Sequence, residues 1–307
     1  MVYLIFILSL SAVTKGADWL VEGAVGLTKL WGISQIVVGA TIVSLGTTLP
    51  ENLISALAAA QGKGHIVVGT ALGSILFNTA VILGLAAVIR PPQIRDKDTF
   101  LKAGTMVGVL VLFTVLALDL HIARWESALL ALILFFYLGS NIWNSRRRSA
   151  RGHKNNSKAD FRLHLFRVGL GSAFVVLGAH YLLDSGVEIA RIFGVPEAII
   201  AFTLFAVGSS LPEFVTAMAA AWKGHTDLIL GNVLGANTLN IIFVITTAGL
   251  IRPFLVDPAV LRTDVPLSLL LIAVLLFPAI FTKKISRLQG LITLLAYFAY
   301  IIFLILR

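Results

Sequence analysis

Two carboxylates stand where a membrane would exclude them. Glu51 closes the segment GTTLPE at 46–51, and Glu213 closes GSSLPE at 208–213. Each follows a proline inside a long apolar run, and between Ile33 and Ala60 Glu51 is the one charged side chain. A carboxylate at bilayer depth costs about 2.5–3.5 kcal/mol even on lenient insertion scales, and such residues are functional by default. The remainder of the 15 Asp and Glu lie in the first and sixth apolar spans, in loops or near predicted helix ends. No Lys or Arg lies deep in a predicted span to pair with Glu51 or Glu213.

The neighbouring residues suggest what the carboxylates do. Pro50 has no N–H for the carbonyl of Gly46, nor Pro212 for that of Gly208, so both helices should kink or break. Carbonyls freed at membrane depth are tolerated only where they are buried in protein or line a polar cavity. Thr47, Thr48, Ser209 and Ser210 add hydroxyls beside them. The set contains only oxygen, which suits hard cations: Ca2+ takes about six to eight oxygens in flexible geometry. Two carboxylates brought together in low dielectric repel one another, and a divalent cation, two monovalent cations or protons would relieve that repulsion. Ser74, Asn78 and Asn240 sit at helical spacing in the third and eighth spans and are expected to line the same site, because a buried amide needs a partner. Gly69 and Gly73, with Gly231 and Gly235, read as small-xxx-small packing positions.

The elements that must carry these residues are membrane helices. The chain has 307 residues, 58% of them hydrophobic and 13% charged, with a mean hydropathy of +0.95, far too apolar for a soluble domain. Apolar stretches long enough to span a bilayer fall at about 2–28, 33–60, 66–89, 99–118, 127–144, 164–192, 197–221, 227–250, 265–281 and 288–306. An all-α polytopic membrane protein with ten transmembrane helices is predicted. The opening MVYLIFILSLSAV lacks a basic n-region and a cleavage site, and is read as part of the mature fold.

The segments recur. GTTLPE and GSSLPE are 162 residues apart, as are GTALGSILFN at 69–78 and GNVLGANTLN at 231–240, GADWLVEG at 16–23 and GAHYLLDS at 178–185, and Gly32 and Gly194. A constant spacing over this length marks two copies of one half: 1–145 and 163–307, each of five spans, joined by a basic linker at 146–162. Five is odd, so the second half enters from the opposite side, giving an inverted repeat whose substrate site is expected near the midplane.

Charge placement supports this threading. The net charge is +9; with the N-terminus outside, 16 of the 24 Lys and Arg fall on one side and six on the other, two being inside helix ends. This is a positive-inside bias, so the linker RRRSARGHKNNSK is cytoplasmic, both termini are outside, and no nucleic-acid partner is implied. The absence of cysteine excludes disulfides, thiolate sites and cysteine nucleophiles. Charges in the first and sixth spans (Lys15, Asp18, Glu22; Asp184, Glu188, Arg191) read as solvated helix ends with local ion pairs. His65 and His225, in short loops, give a weak signal for pH sensing.

GTTLPE, GSSLPE, GTALGSILFN and GNVLGANTLN together resemble the paired repeats of the cation/calcium exchanger superfamily, and most closely the prokaryotic sodium/calcium exchangers. The resemblance covers essentially the whole chain. It implies that spans 2, 3, 7 and 8 surround the ions while the first and sixth slide across them. It further implies Ca2+ held by Glu51, Glu213 and the carbonyls of Thr47 and Ser209. Sodium sites would use Thr47, Ser210, Glu213, Ser74 and the Ser44 carbonyl in one half, and Ser209, Thr48, Glu51 and the Ala206 carbonyl in the other. Asn78 and Asn240 would line the centre. Ala236 stands where the family usually has serine, Asn240 where aspartate is frequent, and Ser209 where threonine is usual.

The expectation is a secondary antiporter in the cell membrane, not an enzyme, exchanging Ca2+ for Na+ and needing no cofactor. Its partners are inorganic cations (Ca2+, Na+ or H+) and the lipid bilayer. The alternatives are a Ca2+/H+ or other cation exchanger and, from another class, a calcium channel with a glutamate filter.

Overall fold

A computed structural model describes residues 1–31, 33–94, 97–149, 158–194, 208 and 210–306. Among the described residues, seven helices are long and apolar enough to cross a membrane, and a bent pair makes an eighth. The first half runs α1 (Val2–Trp31), α2 (Gln35–Val38), a π-helical turn (Gly39–Val43), α3 (Ser44–Thr47) and α4 (Leu49–Ala60). It continues through α5 (Gly64–Phe77), a second π-turn (Asn78–Leu83), α6 (Gly84–Ile89), α7 (Lys97–Leu116) and α8 (Arg124–Ser149). The second half holds α9 (Lys158–Ile192), α10 (Leu211–Trp222), α11 (Thr226–Leu239), a π-turn (Asn240–Ile245) and α12 (Thr246–Ile251). A further π-turn (Val260–Asp264), α13 (Val265–Thr282) and α14 (Arg287–Leu306) complete it. Nine of the ten predicted spans coincide with helix among the described residues, and of the seventh only the part carried by α10 and the residues just ahead of it is described.

Burial sorts these helices into a core and a rim. The span α11–α12 is 94% buried and α5–α6 is 72% buried, against 28% for α9 and 22% for α14. The rim exposes Phe166, Leu177, Phe277 and Leu295, the apolar surface that a lipid environment requires. The third and eighth spans, which carry the polar residues singled out above, are therefore the centre of the molecule.

The duplication extends to backbone detail. The π-turns at Asn78–Leu83 and Asn240–Ile245 are 162 residues apart, as are Gly62 (φ +74°) and Gly224 (φ +81°), which close the turns after α4 and α10. The two halves also clasp each other reciprocally. Strand β1 (His121–Ile122) pairs antiparallel with β2 (Phe254–Leu255), while Gln93 bridges Lys284, so the loop after each half's third span meets a later loop of the other half. Leu120 and Lys283, at matching corners, both take positive φ.

Helices α1 and α9 run antiparallel in close contact. Gly178 meets Ser9 and Val13, Gly171 meets Gly16 and Leu20, and Gly23 and Gly26 meet His164. A Cβ at Gly171 would stand 2.6 Å from the Leu20 nitrogen, so the absence of a side chain sets the approach of the two backbones.

Candidate functional site

The first of the two proline breaks is fully described. Helices α3 and α4 meet at 45° at Thr48, whose φ of −80° and ψ of −3° end one helix and begin the next. Pro50 lies in the first turn of α4, where no N–H is needed; the bend therefore falls two residues ahead of the proline. In the second half Ser210 (φ −96°, ψ 12°) opens α10, with Pro212 in its first turn. Each carboxylate thus sits in the opening turn of a helix, near the positive end of its dipole.

The repeats cross at these turns. Glu51 faces Glu213 and has the Ser210 and Ser74 side chains beside it, while Thr47 and Thr48 flank Glu213. Ser210 Oγ donates to Ser74 Oγ at 2.9 Å. Asn78 Nδ2 donates to Asn237 Oδ1 at 3.1 Å, and Asn237 Nδ2 to Thr79 Oγ1 at 2.9 Å. Glu51 is 0% exposed and Glu213 1%. Both carboxylate oxygens of each, with Thr48 Oγ1, Asn78 Oδ1 and Asn240 Oδ1, are buried and accept no hydrogen bond at proper geometry from the described residues. These oxygens are half of all the buried, unpartnered polar side-chain atoms in the described residues. Leaving one buried acceptor unsatisfied costs about 1–3 kcal/mol, more when it is charged. The four carboxylate oxygens, on facing helix-opening turns of the two repeats, form a concentrated electron-rich environment.

Other predicted ligands are engaged within their own helix. Thr47 Oγ1 lies 3.3 Å from the Val43 carbonyl and 3.4 Å from that of Ser44, and Ser44 Oγ donates to Thr41 O at 3.4 Å. The Ser44 carbonyl also accepts the Thr48 N–H at 2.9 Å. Ala206 and Ser209 lie outside the described residues.

Packing fixes the walls. Cβ atoms at Gly231 and Gly235 would stand 2.3 Å from the Ile36 oxygen and 2.4 Å from the Ala40 Cα, so α11 lies directly on the helix leading to Thr47. The repeat-related contact of Gly69 and Gly73 would fall on residues 198 and 202, outside the described residues. Ala236 is fully buried and presents a methyl group. Tyr137 Oη donates to the Ala40 carbonyl at 2.8 Å, covering the π-turn that precedes Ser44; π-turns recur at functional sites.

Three sequence expectations change. Lys102 is buried, 5% exposed, and it donates to Asn141 and lies 4.7 Å from the Tyr137 ring centroid. Asp18 and Glu22 do not pair only locally: Lys223, beyond α10, reaches them at 2.8 and 3.1 Å, and Arg167 of α9 lies 3.8 Å from Glu22. Asn237 and Thr79, not singled out in the sequence, complete the central amide network. Asn237 lies inside the quoted GNVLGANTLN, and the need of Asn78 for a buried partner was the signal that pointed to it.

Fold and site together define an all-helical polytopic membrane protein of two inverted repeats built around a buried carboxylate pair. The sequence model of the family described as "Sodium/calcium exchanger protein" matches residues 1–143 and 163–306, and the chain belongs to that family, whose members are exchangers and not an enzyme class. It is 34% identical to an uncharacterised membrane protein of Methanocaldococcus jannaschii, over 95% of this chain and 94% of that protein. With the sodium/calcium exchanger MaX1 of Methanosarcina acetivorans it shares 29% identity, over 98% of both chains. A solved structure of the sodium-calcium exchanger NCX_Mj, soaked with 2.5 mM Na+ and 10 mM Sr2+, superposes with a TM-score of 0.86 at 29% identity, covering 98% of this chain and 99% of that one.

Proposed function

We propose that the protein is a secondary antiporter that exchanges Ca2+ for Na+ across the cell membrane, with both termini outside and the 146–162 linker cytoplasmic. The ions bind at mid-depth where the two Pro-Glu turns cross. Glu51 and Glu213 supply the charge, while Thr47, Thr48, Ser74, Ser210, Asn78 and Asn240 supply neutral oxygens; Ser44, Ser209 and Ala206 complete the set through their carbonyls or hydroxyl. The observation that supports this reading is a set of seven buried oxygens that accept no well-formed hydrogen bond from the described residues, four of them carboxylate oxygens from opposite repeats. A cation matches such a site because it satisfies many lone pairs at once and offsets the carboxylate repulsion.

Exchange follows from competition. Ca2+ and Na+ draw on overlapping oxygens, so occupancy by one displaces the other, and an empty carboxylate pair is the least favourable species to enclose. The α1–α9 pair, packed through glycines and tied by Lys223 to the turn beyond α10, is the element that would slide to alternate access. With Ala236 in place of serine the second half lacks one hydroxyl, and with Asn240 in place of aspartate the site has two carboxylates rather than three.

The test is radiolabelled Ca2+ uptake into proteoliposomes carrying an imposed Na+ gradient, an imposed pH gradient, or neither. Uptake driven by outward Na+ alone is expected. Uptake driven by the pH gradient alone would replace Na+ by H+ as the counter-ion, and rapid uptake with neither would indicate a channel.

A further inference from the structure

The π-turn that begins at Asn240 is held from the other repeat by a residue adjacent to Glu51. Asn52 Nδ2 donates to the Phe243 carbonyl at 3.2 Å and to Thr247 Oγ1 at 2.9 Å. Thr247 Oγ1 in turn donates to the same Phe243 carbonyl at 2.9 Å. The single hydroxyl hydrogen of Thr247 is thereby assigned, so its oxygen can only accept from Asn52. The three bonds close a triangle in which every hydrogen is placed, and a flipped amide would set Oδ1 against a carbonyl that cannot donate.

Successive residues of an α-helix point about 100° apart. In the first turn of α4, Glu51 faces Glu213 and Ser74 while Asn52 faces the eighth span. Phe243 lies three residues after Asn240, whose amide oxygen is one of the unpartnered oxygens of the site. The second half has no such triangle: the repeat-related positions are Phe214, Val81 and Leu85, and Phe214 packs against Phe77 with centroids 6.2 Å apart. The polar clamp therefore belongs to Glu51 alone and has no counterpart beside Glu213.

We propose that Asn52 is a positioning residue for cation binding. Through Phe243 and Thr247 it fixes the rotation and height of the Glu51 turn against the π-turn of Asn240. A leucine, with the same branching and number of side-chain heavy atoms but no polar group, would keep the helix contact but release the register, loosening one carboxylate relative to the other ligands. The inference rests on the cation-exchange reading above.

The experiment measures Na+-driven Ca2+ uptake in proteoliposomes for Asn52→Leu, Thr247→Val, the double variant and Thr247→Ser, with the melting temperature of each. Asn52→Leu and Thr247→Val are expected to raise the KM for Ca2+ about three- to tenfold, the effect of one or two hydrogen bonds. The double variant should be no worse than Asn52→Leu, because both changes break one unit, and Thr247→Ser, which keeps the hydroxyl, should match the wild type. A KM unchanged in Asn52→Leu, or effects that multiply in the double variant, would overturn the proposal; a merely structural role lowers the melting temperature and leaves KM alone. Should Asn52→Leu not fold, Thr247→Val carries the same criteria. A wild type without any cation-driven Ca2+ uptake would overturn the exchange reading and this inference with it, whereas an active wild type with an unaltered Asn52→Leu overturns this inference only.

Discussion

Ser210 Oγ donates to Ser74 Oγ at 2.9 Å, joining the opening turn of α10 in one repeat to α5 in the other, directly beside Glu51. Replacing Ser74 with alanine removes that acceptor, and burying a hydroxyl without a partner costs about 1–3 kcal/mol. Ser74→Ala should therefore lower the melting temperature of the purified protein and weaken Ca2+ uptake. Ser74→Thr keeps the oxygen and should retain more of both.

Glu51 and Glu213 set up the opposite pattern. Glu51→Gln or Glu213→Gln removes one charge and the mutual repulsion while keeping side-chain size, and the new amide can donate to the oxygens around it. Transport should fall by about a hundredfold or more, as expected when a charged ligand is lost, while thermal stability holds or rises. Paired uptake and melting measurements check this, and normal transport in both single variants would remove these residues from the site.

At Gly235 a Cβ would meet the Ala40 Cα at 2.4 Å and Ser44 Oγ at 2.7 Å. Gly235→Ala should cost about 1–3 kcal/mol through overpacking and displace the helix leading to Thr47. Gly108, in α7, has nothing within 4 Å of its Cβ position, so Gly108→Ala should be neutral or slightly stabilising, by up to about 1 kcal/mol. Melting temperatures of the two variants decide between packing and nonspecific helix propensity.

His225 gives a pH dependence of defined sign. Burial, followed by the charges of Lys29, Lys223 and Arg90, lowers its pKa from the ordinary 6.5. The unfolded chain therefore binds this proton more readily than the folded one, so stability drops as pH falls through about 6.5 and below. Between about pH 7.5 and pH 5 the melting temperature of His225→Gln should fall less than that of the wild type. An equal fall in both would show that His225 does not contribute.

How much of this was legible beforehand differs by residue. The carboxylates announced themselves by being isolated in apolar sequence, and the duplication by a spacing of 162 that persists in the π-turns and in the glycine turns. Asn52 gave no such signal, since a polar residue beside a glutamate could equally have faced a cavity. Its role became visible only once α4 lay against Phe243 and Thr247, 191 and 195 residues away. Lys102, four residues into the fourth predicted span, carries no sequence signal for its burial against Asn141 and Tyr137.

The sequence by itself determined that the chain is membrane-embedded and that it consists of two inverted halves, and it singled out two carboxylates isolated in apolar sequence. Those properties follow from local quantities: hydropathy over a helix length, the odd number of spans, and the cost of an ion in lipid. Only the tertiary structure decided that the helix breaks at Thr48 ahead of Pro50, and that Asn78 Nδ2 donates to Asn237, which donates in turn to Thr79. It also decided which buried oxygens accept no well-formed hydrogen bond among the described residues. Hydrogen-bond assignment depends on directions and distances between segments far apart in the chain, and no local pattern encodes them.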